Sequence, residues 1–153
     1  MSSITAQLID FHKKETWHKD ALSDSELEHY FDVLLKKERI LMVMDKELVL
    51  GYVESWRINF EQLGRILCGE RFCAESEDVQ TGAIAYVANT HVLPQYRNFG
   101  VVSSLKNQFI KQNFTCKYFV GEARRKKHQP FKCFNRSEII EKYLKEGVQS
   151  GLD

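Results

Sequence analysis

The sequence predicts an α/β or α+β domain on a mixed sheet, and three observations carry that prediction. Leu27, Tyr30, Phe31, Leu34 and Leu35 recur at helical intervals. Two apolar runs, Ile40–Met44 and Leu48–Ile58, are separated by Asp45-Lys46, the pattern of a hairpin. A strand, a glycine loop, a helix and another strand then follow one another over 82–123. Two strands joined through a helix read as a parallel pair with a right-handed crossover.

Residues 1–22 are mixed and show no clear period. A helix begins at Ser23, because Ser23 and Glu26 have the spacing of a capping box. Lys36, Lys37 and Arg39 close it, as the negative end of a helix dipole favours. Gly51 falls inside the second strand of the hairpin, a position that marks a bulge or a close backbone approach. Phe60–Leu67 reads as a short helix, followed by a polar loop through Glu75, Glu77 and Asp78. Gly82–Val92 is a long strand rich in β-branched and aromatic residues, ended by Pro94. Val101–Gln112 is a helix with Val102, Leu105, Phe109 and Ile110 as its apolar face. Lys117–Ala123 is a further strand. Ser137–Glu146 has helical spacing, with a strand at Ile139-Ile140 as the alternative.

The chain has 153 residues, which at roughly 100–200 residues per domain is a single domain over 1–153. Its 43% hydrophobic and 28% charged residues exclude disordered, collagenous and coiled-coil classes. No apolar run reaches the ~20 residues that cross a bilayer, so no membrane partner is expected. Met1-Ser2-Ser3-Ile4-Thr5 lacks the basic-then-apolar order of a signal peptide, and the expected location is cytoplasmic. With 22 basic against 21 acidic residues the chain is not a bulk polyanion binder. Cys68, Cys73, Cys116 and Cys133 include no C-x-x-C pair, so a metal site is not expected and four reduced thiols are.

The most informative stretch runs from Val92 to Leu105, where a strand ends, a loop turns and a helix begins. A helix N-terminus leaves backbone N–H groups without internal partners, and with the helix dipole they attract a phosphate. Gly100 lets such a group approach the backbone closely. Neither G-x-x-x-x-G-K-[ST] nor G-x-G-x-x-G is present, so this is not a nucleotide P-loop or a dinucleotide fingerprint.

This run resembles the acyl-CoA-binding motif of the GNAT superfamily of N-acetyltransferases, which reads approximately V-x-P-x-Y-R-x-x-G-[IV]-[GA]-S-x-L. Val92, Pro94, Tyr96, Arg97, Gly100, Val101, Ser103 and Leu105 match in register, and Val102 departs from it. Val49-Leu50-Gly51-Tyr52 is similar to the family's third strand, and the element order over 23–123 is the family's. The resemblance implies a GNAT-like, mostly antiparallel central sheet flanked by helices. It implies an acyltransferase that moves an acetyl group from acetyl-CoA to a primary amine. It further implies that Thr90, His91 and Val92 hold the pantetheine arm through their backbone, and that Arg97, Asn98, Phe99, Gly100, Val101, Val102 and Ser103 surround the pyrophosphate.

Acylating an amine requires a base, and the leaving thiolate benefits from an acid. Glu122, Glu54 and His91 are the candidate bases. Tyr143, in a stretch that resembles the family's Y-x-K-x-G-F, is the candidate acid, and an ungapped count puts Phe134 there instead. Arg124, Arg125, Lys126, Lys127 and Lys132, interleaved with His128, Phe131 and Phe134, form a basic tract for an anionic partner or a solvated loop. Two other classes therefore stay open. One is a GNAT-like module that has lost catalysis and only binds, and the other is a nucleic-acid-directed acyltransferase. The acceptor is a small-molecule or protein amine, and a homodimer stays open.

Overall fold

The computed structural model describes residues 2–14, 22–122 and 131–142, with the backbone alone at 122 and 131. Its strands are β1 (Ile40–Asp45), β2 (Leu48–Ile58), β3 (Ile84–Val92), β4 (Tyr118–Glu122) and β5 (Phe131–Asn135), and they lie side by side in that order. All neighbours are antiparallel except β3 and β4, which are parallel. The helices are α1 (Ser3–Lys13), α2 (Asp24–Lys36), α3 (Phe60–Leu67) and α4 (Val101–Gln112), and residues 136–142 are also helical.

The sheet separates two cores. Leu8, Ile9 and Phe11 of α1, with Leu27, Phe31 and Leu34 of α2, cover one face through Tyr52, Trp56, Ile58, Ile84 and Tyr86. Leu63 and Ile66 of α3 join that side. Val101, Leu105, Phe109 and Ile110 of α4, with Ile139, cover the other face through Val53, Ala85 and Phe119. The buried stripe of α4 therefore begins at Val101, not at Val102, which is 51% exposed. A helix turn of 3.6 residues carries 101, 105 and 109 over the sheet and rotates 102 toward solvent.

Local chemistry explains the boundaries. Ser23 and Glu26 make the expected capping box, and Asn59 and Gln62 make a second one at α3. Arg65 of α3 pairs with Glu77 at 2.6 Å and so ties the helix to the polar loop. Helix α1 was not legible as such. Ser2 caps it by accepting from the Thr5 N–H, and Gln7 pins it to the hairpin by accepting from the Val49 N–H at 2.8 Å. The second difference is β5, which claims Phe131, Lys132 and Phe134 from the basic tract. Phe134 packs against the α4-side core, with the Lys142 ammonium 4.8 Å from its ring centroid, so it is not a free stacking surface.

Candidate functional site

The candidate site lies where β3 and β4 stop pairing. Their parallel ladder joins Ile84 to Tyr118 and ends at Val87 with Gly121, so β3 runs on through 88–92 with β2 on one side and no ladder on the other among the described residues. A bulge lies at this point of β3. Glu54 pairs with Asn89 and Ser55 with Val87, which leaves Ala88 as an extra residue on β3. An extra residue bends its strand and increases the twist, and this one sits at the end of the ladder. We call the region beyond this last pair the wedge, with Val87 and Gly121 as its vertex; along it 88–92 have no ladder on the β4 side among the described residues.

Helix α4 starts at the far end of this wedge. Gly100 is its N-cap, with φ 78° and ψ 8°, and no side chain caps the helix. That left-handed conformation favours glycine. The N–H groups of the first turn lack helical acceptors, while the Ser104 N–H is the first to bond back, to the Gly100 carbonyl at 3.0 Å. The helix is held in place at Gly51: a Cβ there would lie 2.9 Å from both Val101 Cγ1 and the His91 carbonyl oxygen. The close approach expected of Gly51 is thus the seat of the helix N-terminus beside Val92.

Of the residues predicted to hold a pyrophosphate, Arg97, Asn98, Phe99, Gly100, Val102 and Ser103 are exposed around this helix start, and Val101 is buried beneath it. Thr90 pairs with Val53 and so faces the α4 side, while His91 pairs with Tyr52 on the opposite face. His91 is 7% exposed, its ring 5.1 Å from that of Tyr52 and 6.1 Å from that of Phe11. Glu122 closes β4 one position past the vertex, its backbone paired with Phe131. Arg124, Arg125, Lys126, Lys127, His128 and Tyr143 lie outside the described residues.

Glu54 lies level with the bulge and is 1% exposed. Three groups donate to its carboxylate: the Tyr30 hydroxyl, Trp56 Nε1 at 2.8 Å and Asn89 Nδ2 at 3.4 Å. Burial nevertheless dominates and pushes its pKa up to about 7, while the hydrogen bonds pull the other way. Burial, with the carboxylate beside it, likewise holds the Tyr30 hydroxyl well above the usual phenol range, so it stays a donor. This polar cluster on the α2-side face was not visible in the sequence as a cluster, because its members are scattered from 30 to 89. A hint was the near-continuous apolar character of 48–58, which marks a strand buried on both faces.

Among the described residues no three His, Cys, Asp or Glu side chains are grouped to hold a metal ion, and no helix is long and apolar enough to cross a membrane. All four cysteines are free thiols.

A mixed sheet whose parallel ladder ends at a bulge, with a glycine-capped helix beyond it, is a GNAT-like fold. Solved structures bear this out: the GNAT-like decarboxylase GphF, in complex with isobutyryl-CoA, superposes with a TM-score of 0.55 at 16% identity, over 78% of this chain and 60% of that one. The loading GNATL domain of CurA from Lyngbya majuscula superposes with a TM-score of 0.54 at 13% identity, over 82% of this chain and 65% of that one. The chain thus spans less than two thirds of the length of either. Neither a known protein-family profile nor a curated protein sequence matches it.

Proposed function

We propose that this chain is an acyl-CoA-dependent N-acyltransferase. The observation that carries the reading is the wedge itself: a stretch of β3 at 88–92 with no ladder on the β4 side among the described residues, leading away from a helix N-terminus without a side-chain cap. An extended arm bearing amides pairs with such an edge as an added strand does, and a pyrophosphate suits the helix start. The Val92 end then takes the phosphates and the vertex takes the thioester. Arg97 adds a cation at the phosphate end.

Glu122 is the base of this mechanism, since its strand position adjoins the vertex. It takes a proton from the amine as the nitrogen bonds to the thioester carbon. The carbon–sulfur bond then breaks, and the thiolate leaves and takes a proton from water, while Glu122 returns its own to solvent. Glu54, enclosed with Asn89, is a positioning residue for the bulge. His91 is held between aromatic rings three residues along β3 from Ala88, away from the reacting carbon.

A second reading is favoured by one of the superposed structures, a decarboxylase: loss of carbon dioxide from a carboxylated acyl-CoA in the same wedge.

Titration calorimetry with CoA and acetyl-CoA tests the binding. Micromolar affinity is expected, abolished in Gly100→Asp, whose carboxylate faces the phosphates. No heat at high micromolar ligand overturns the reading. With an amine acceptor, Glu122→Gln lowers the rate by roughly 10²–10⁴ with cofactor affinity unchanged. An unaltered pH–rate profile removes Glu122 from the mechanism. Carbon dioxide release from malonyl-CoA without any amine decides for the second reading.

A further inference from the structure

A cavity of about 210 Å³ lies on the α4 side of the sheet, directly past the vertex. Val87 and Gly121, the last pair of the parallel ladder, form its inner end. Phe109 and Ile110 of α4, Phe119 of β4, Phe134 of β5 and Ile139 give it a mainly apolar wall, and Lys106 and Lys132 also line it. Gly121 puts no side chain between it and the vertex. Among the described residues other than its chain neighbours, a Cβ there would meet Val87 alone, at 3.9 Å.

We propose that this cavity receives the acyl tail of the substrate, and that the preferred donor is a medium-chain acyl-CoA rather than acetyl-CoA. This rests on the acyl-CoA reading above and adds the substrate class to it. The direction follows from the fold. The phosphates sit at the α4 N-terminus beside Val92, so an arm running along 88–92 delivers the thioester to the vertex. Whatever continues beyond the carbonyl, on the α4 side, meets this cavity. Its size sets the length: an apolar cavity of roughly 150 Å³ takes the six carbons of benzene, so 210 Å³ suits a tail of about six to eight carbons. An acetyl group would leave most of the cavity unfilled.

The test is calorimetric titration of the full chain with CoA, acetyl-, butyryl-, hexanoyl-, octanoyl- and dodecanoyl-CoA. Affinity is expected to rise by up to about fourfold per methylene, the equivalent of roughly 0.8 kcal/mol, and to level off at hexanoyl- or octanoyl-CoA. If CoA and acetyl-CoA bind and longer chains bind no tighter, the tail proposal falls and the acyl-CoA reading stands. If none of them binds, both fall. Ile139→Trp and Phe134→Trp fill the cavity from two separate walls, and each is expected to remove the chain-length dependence. Either variant that keeps the native near-UV circular dichroism and native CoA affinity, yet still prefers octanoyl-CoA, overturns the proposal.

Discussion

Glu54→Gln separates the stability role of the buried carboxylate from any other. In the folded chain Glu54 has a pKa raised to about 7 from an ordinary 4.5, with burial as the main cause. The unfolded chain therefore ionises this group first. Between those two values the folded state binds more protons than the unfolded one, so stability falls as pH rises. The full stabilisation is present below about pH 4.5 and the loss is complete above about pH 7. At 1.36 kcal/mol per unit, the total loss is about 3 kcal/mol, of which about 2 to 3 kcal/mol falls between pH 5 and pH 8. Glutamine has the same shape and no charge to desolvate. Its carbonyl accepts from Tyr30 and Trp56, and Asn89 can turn its amide over to accept from the new NH₂. Urea unfolding at pH 5, 6, 7 and 8 should show the wild-type free energy declining relative to the variant by that amount, with the glutamine chain the more stable at pH 8. Parallel curves from pH 5 to 8 would refute the argument, since they would mean that Glu54 is not neutralised by its surroundings.

Two glycines give contrasting expectations under the same urea assay. A Cβ at Gly82 would fall 2.1 Å from the Ile58 backbone, so Gly82→Ala should destabilise by about 2 kcal/mol or more. Gly100 has φ 78° and nothing within 4 Å of such a Cβ, so Gly100→Ala should lose only the conformational term, about 1 kcal/mol; equal effects would contradict this. Native-state labelling with a maleimide, mapped by mass spectrometry, should modify exposed Cys68 and Cys133 quickly, and buried Cys116, whose thiol burial pushes up, only after unfolding. For the tract 124–132, an acyltransferase of small amines predicts no oligonucleotide retention on nitrocellulose even at low salt. Retention with a log–log salt slope of minus several units, flattened by neutralising Arg125 and Lys127, would establish an anionic partner instead.

The central unit was legible because several local signals agreed there. Ser23 and Glu26 marked a helix start, Asp45-Lys46 a hairpin, and Pro94 with Gly100 the strand-to-helix turn; β2 and α4 fall on their expected boundaries. Local pattern was weaker at the two ends. Helix α1 carries Ser3, Ile4, Thr5 and Ile9, which are poor helix formers; it is held by Thr5 donating to Asp32 of α2 and by Gln7 on the hairpin. Strand β5 is five residues long with no clear alternation, and gains its ladder only from β4. The glycine of the helix start was read from its motif. The bulge was not, because it depends on Ala88 having no opposite number across β2, a matter of register between strands some thirty residues apart.

Along 88–92, β3 has no ladder on its β4 side among the described residues. A row of unpaired peptide groups is a template on which any extended segment can add itself as a further strand. Most sheets confine that hazard to their two outer margins, whereas among the described residues this one also carries it in its middle, where β3 runs past its ladder with β4. An acyl-CoA arm paired there, as proposed above, would cover those groups. Self-association at high concentration should therefore be greatest in ligand-free protein and decline as acyl-CoA is added, so that supply of the small molecule sets how long the chain stays monodisperse.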